Sequence, residues 1–223
     1  MHRSKLTALA VLGSAAALAF STYAPAAPGG GPATFEVTIT NLTPGQIFSP
    51  VLLATHDSTA TVFRGGETAS AELALLAEEG DNSTLFAALS AASAVLDVQS
   101  GTANIAPGGS ETIMIQGAPD ARLLSMASML VTTNDTFAGL DSVPLPAGRS
   151  ATLFAYGWDA GSEANSENCM YVPGPPCGSG GSHDPSPAEG FIAISNGVHG
   201  QGSLVPSEHD WRGPVARIAI RRL

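Results

Sequence analysis

Two short stretches hold side chains whose types and spacing could do chemistry. In residues 158–163, WDAGSE, Asp159 and Glu163 stand four apart with Gly161 between them, and Glu167 follows. In residues 132–135, TTND, Asn134 and Asp135 close another turn. Each stretch follows an apolar segment, residues 123–131 or 151–158, that reads as a buried strand. A turn centred on Gly161 can aim both of its carboxylates at one point. Asp135 can join them if the two apolar segments pair as neighbouring strands. Calcium takes about six to eight oxygen ligands from carboxylates, backbone carbonyls and water. Asp135, Asp159 and Glu163 are therefore candidate calcium ligands, with Asn134, Thr136 or loop carbonyls able to complete the shell. Acidic turn residues are as a rule simply solvated, so spacing alone leaves both readings open.

Other chemistry finds less support. His56-Asp57 and His209-Asp210 look like acid–base pairs, but adjacent residues in a strand or turn point apart. There is no G-x-S-x-G, no H-E-x-x-H and no P-loop. His183, His199 and His209 lie in polar or glycine-rich loops without ligating spacing. No catalytic residue and no enzymatic activity are expected.

The bulk numbers set the surroundings. Arg3 and Lys5 open the chain, residues 6–20 are apolar and small, and Ala24-Pro25-Ala26 is a small-x-small cleavage pattern. Residues 1–26 read as a secretory signal peptide, leaving residues 27–223 as one domain. The whole chain carries a formal charge of −10; without Arg3 and Lys5, seven arginines face 19 acidic residues, about −12. Such a surface repels nucleic acid and anionic lipid. With Cys169 and Cys177 the only cysteines, an exported chain is expected to bridge them. The expected location is secreted, extracellular or periplasmic.

The elements that must position the acidic loops follow from periodicity. Residues 34–42 alternate apolar and polar, a half-buried strand. Residues 47–56 form a more buried run whose Pro50 suggests a bulge or an edge. Two short helices come next, one capped by Thr68 or Ser70 and stopped at Gly80, the other capped by Asn82 or Ser83. Strands are expected at 95–98, 110–116, 123–131, 151–158, 190–195 and 214–223. In the last, Arg221 and Arg222 could blunt a sheet edge. Trp158 is expected to pack the base of its loop, and Trp211 to close one end of the core. About eight strands with Gly- and Pro-rich turns predict an all-β antiparallel sandwich with the two helices in a crossover.

Several words of the sequence resemble the spondin domain, the amino-terminal adhesive module of F-spondin and mindin, which bacterial secreted proteins also carry. They are FSPVLLATH at 48–56, RGGETAS at 64–70, SMASML at 125–130 with Asp135 beyond it, WDAGSE at 158–163 and DWRGPVARIAI at 210–220. The resemblance implies an eight-stranded antiparallel sandwich that binds calcium through Asp135, Asp159 and Glu163. Glu163 stands where vertebrate members carry the shorter Asp. It further implies a binding or adhesion module whose partner is an extracellular protein or glycan, with neither nucleic acid nor membrane as the expected partner. A calcium-dependent membrane-binding module and a secreted hydrolase are the alternatives. The acidic, lysine-free mature surface counts against the first of these.

Overall fold

The computed structural model describes residues 31–223; the expected signal peptide lies outside them. Alternation builds one half of the fold. In β1 (Ala33–Asn41) Phe35, Val37 and Ile39 are buried, and their neighbours on the other face are half-exposed. β4 (Ser110–Gly117) and β9 (Ala216–Arg222) flank β1 antiparallel, with Val37 opposite Ile113 on one side and Ile220 on the other. One face of these strands meets the core and the other meets water, which is the condition that selects period-two patterning.

The other half is covered on both faces, so its strands are continuously apolar. β2 (Leu52–His56) is buried throughout, and β5 (Leu123–Met129) is buried from Leu124 onward. Leu53, Leu124 and Met126 point into the core shared with β1. Leu52, Ala54 and Ala127 point the other way, into a second core beneath α1 (Ala71–Glu79) and α2 (Ser83–Ala91). Leu73, Leu76, Leu85 and Leu89 supply the helical side of that core. Ser70 caps α1 by accepting from Leu73 N at 3.2 Å, and Gly80 ends it in the left-handed region at φ 71°. Asn82, one of the two expected caps of α2, makes no cap hydrogen bond; its amide donates to Pro50 O and Ser100 Oγ instead. Asp81 accepts from Ser83 N at 2.8 Å in its place.

With β3 (Val95–Ser100), β6 (Thr136–Pro144) and β7 (Ser150–Asp159), the strand order is β3-β2-β5-β6-β7-β9-β1-β4, and the two-residue β8 (Ala193–Ile194) pairs with β7. The ends of this order come together. Asp97 Oδ2 accepts from Gln116 N at 2.7 Å, and Thr55 Oγ1 donates to Gln116 O at 2.6 Å. The result is an antiparallel, nearly barrel-shaped sheet with a few short helices, the last being α3 (Pro206–His209).

Four expectations are corrected. β6 was not foreseen, because Gly139 and Asp141 break its pattern. A Cβ at Gly139 would lie 2.8 Å from the rings of Phe63 and Trp158, so the aromatics that cover β6 require glycine there. Residues 123–131 and 151–158 are not neighbours, since β6 lies between them. β9 is an interior strand, so Arg221 and Arg222 blunt no edge. Pro50 precedes β2, which lies between β3 and β5 and is likewise no edge.

Candidate metal centre

The two aspartates meet through the unforeseen strand. β5 turns tightly into β6, with Leu130 N donating to Thr136 O at 2.8 Å. Thr133 secures the turn by donating to Leu130 O and accepting from Thr136 N. Asp135 is thereby fully buried one residue before β6. The β6–β7 register sets Thr136 opposite Asp159, and Ala160 N donates to Asp135 O at 3.1 Å. Beyond β7 the chain bends through Gly161 at φ 64°, where a Cβ would collide with the Phe191 backbone. That bend directs Ser162 N and Glu163 N at Asp135 Oδ2, at 2.8 and 3.0 Å. Gly161 N donates to Asp159 Oδ1 at 2.7 Å.

The electrostatics of this pair are unfavourable to two bare anions. Burial, then the charge of Asp159, push the Asp135 carboxyl up to about 7, against the pull of the two backbone donors. Burial also raises Asp159, against donors from Asn165 and Gly161. The Asn165 amide bridges Asp159 to Glu189, which it reaches at 3.1 Å. Asp135 Oδ1 is buried without a hydrogen-bond partner among the described residues. A buried carboxylate oxygen with no donor calls for a proton or a cation. The surrounding oxygens suit a hard cation such as calcium.

Glu163 contributes its backbone to Asp135 and turns its carboxylate elsewhere. Oε1 accepts from Asp184 N at 2.6 Å and from Asn134 Nδ2 at 3.3 Å. Oε2 faces His183 Nδ1 at 3.8 Å. His183 also lies 3.0 Å from Glu78 Oε2 and 3.1 Å from Glu79 Oε1. Glu78, Glu163 and His183 each offer a ligand atom within 4.8 Å of the others, a cluster that could hold a metal ion. So the structure brings Asp135 and Asp159 together and gives the Glu163 side chain a second set of neighbours. Neither Glu78 nor His183 was singled out from sequence as a partner of Glu163. One signal was available: Glu78 and Glu79 end α1, where the helix dipole disfavours anions and no basic residue stands in the last turn.

Glu167 is the anchor of the following loop. It adopts φ 53°, and its carboxylate accepts from His199 N and Gly200 N, both at 2.6 Å, and from Gln201 N at 2.9 Å. Its own N–H donates to Asn134 Oδ1 at 3.0 Å, which ties this loop to the β5–β6 turn. Cys169 and Cys177 form a disulfide within the same loop. Trp158 packs edge-on to Phe63, with ring centroids 5.2 Å apart, and Trp211 packs against the main core and a small third cluster.

The acid–base pairs do not assemble. Asp57 turns its carboxylate to Thr59, and Asp210 accepts from Val198 N. His56 instead meets Ser125 Oγ at 2.8 Å, with Ser142 N donating to the same hydroxyl. Both residues are fully buried, so the contact braces β2 against β5 and offers no surface for a substrate.

Residues 36–171, more than half of the chain, match the family model described as Spondin_N. The chain belongs to the Spondin_N family. The matched segment contains Asp135, Asp159 and Glu163 and stops before His183. The family is a non-enzymatic, extracellular domain type, suggestive of binding or adhesion. No match was found among curated proteins. Among the described residues, no helix is long and apolar enough to cross a membrane.

Proposed function

We propose that this Spondin_N chain is a secreted, calcium-binding module that acts by binding an extracellular protein or glycan. The observation that carries the calcium reading is the unpartnered Oδ1 of Asp135, buried beside Asp159. Asp135 and Asp159 would supply the inner carboxylates, and Glu163, whose carboxylate faces Asp184 N and His183, would complete the acidic set by turning toward them. The ion would neutralise charge that the backbone donors offset only in part. Calcium titration followed by thermal melting tests this on wild type and Asp159→Asn. Calcium in 100-fold excess over its Kd stabilises by about 2.7 kcal/mol, and the variant is expected to lose most of that gain. A wild-type melting temperature indifferent to calcium sinks the proposal.

A further inference from the structure

The opposite end of the sheet from the acidic turns carries a second feature, which the calcium reading does not use. Along β9, Ala216, Ile218 and Ile220 are buried, and the same side of the strand continues to Arg222 at its last position. The register sets Arg222 opposite Phe35, itself buried. The strand therefore ends by directing a guanidinium toward the mouth of the core, where it is half-buried. Its neighbour Arg221 faces the other way and forms a two-pronged pair with Glu36, at 3.0 and 2.8 Å. Arg222 has no acidic partner within 4.0 Å among the described residues, and neither does Arg122, which precedes β5 at the same end.

Both arginines line a cavity of about 220 Å³. Phe35, Leu145, Pro119 and Ala147 contribute apolar walls. Gly117 also borders it, where a Cβ would lie 2.5 Å from Leu145 and 2.8 Å from Phe35; glycine is what lets those two side chains stand there. Two unpaired guanidiniums beside apolar walls, on a chain of net charge −10, form a local site of opposite sign to the whole. A planar guanidinium binds a carboxylate through two parallel hydrogen bonds, and the walls repel water from whatever is attached to it.

We infer that this mouth binds a small organic carboxylate with a short apolar body, its head on Arg122 and Arg222 and its body against Phe35 and Leu145. The cavity volume suits a short chain, not a full-length acyl tail. Octanoate is the probe, titrated calorimetrically into the full chain, with octanol and acetate as controls. The expected result is one saturable site for octanoate, weakened at least about tenfold in Arg222→Gln and in Arg122→Gln. Octanol, which lacks the charge, and acetate, which lacks the body, are each expected to bind at least about tenfold more weakly. Arg122 is exposed, so Arg122→Gln keeps the test open if Arg222→Gln unfolds. Octanoate shift changes in a protein spectrum should centre on Phe35 and Leu145. No saturable binding, equal binding by octanol, binding unmoved by either substitution, or shift changes centred elsewhere would overturn the inference.

Discussion

The two ends of this sheet handle charge in opposite ways. At one end Asp135, Asp159, Glu163 and Glu167 are buried, and their donors are mostly backbone N–H groups of the loops that fold over them. At the other, Arg122, Arg149, Arg221 and Arg222 gather at the starts of β5 and β7 and the finish of β9, and among the described residues only Arg221 of these has an acidic partner. Loop backbone can bend its N–H groups onto a carboxylate and so bury it. A guanidinium needs several acceptors at fixed angles, which loops supply less readily, so most of these arginines remain near water. The acidic end is consequently where burial and charge are coupled, and the basic end is where charge stays available.

That contrast makes graded expectations. The largest effect is expected from Glu167→Ala, which strips the carboxylate acceptors from three backbone donors, those of His199, Gly200 and Gln201. With part-buried donors left unpaired, a loss of about 3 kcal/mol follows, measurable by urea unfolding; a loss under about 0.5 kcal/mol, the range of an ordinary surface change, would break the claim that the acidic end is held by its carboxylates.

An intermediate effect is expected from pH. Asp135 titrates higher in the folded chain than in the unfolded one, so the folded state holds a proton between its ordinary value near 3.8 and about 7. Stability of the metal-free chain should therefore fall as pH rises across that window and level off above it. Urea melts between those limits would show the slope, and Asp135→Asn should flatten it. A slope of the other sign would mean that the buried pair is not under strain from its own charge.

The smallest effect is expected at the basic end. The hydrogen bonds from Arg221 hold the Glu36 carboxyl below its usual range, so this pair contributes in the opposite sense, present above the ordinary value and fading as pH falls. Because Glu36 and Arg221 meet in solvent, Glu36→Gln should leave the melting temperature nearly unchanged. A large drop would show that charge is as tightly built into this end as into the other.

Much of the fold was legible where one rule governed. The alternation of β1, β4 and β9, the Ser70 cap and the Gly80 stop of α1, and the Cys169–Cys177 bridge all follow from local pattern or from parity. Asp135, Asp159 and Glu163 could be named from their turns, but the route that joins the two aspartates could not. It runs through β6, whose pattern is hidden by Gly139, and Gly139 is there because of Phe63 and Trp158, distant in sequence.

The sequence by itself determined the strand-rich class, the two acidic turns that follow apolar segments and the family, because each is written in contiguous residues. Only the tertiary structure decided which charges meet. It set Thr136 opposite Asp159, turned Glu163 toward His183 and Glu78, and aimed Arg222 inward while Arg221 faces Glu36. The physical reason is that a side chain's direction depends on register, and register is fixed by packing among strands far apart in the chain.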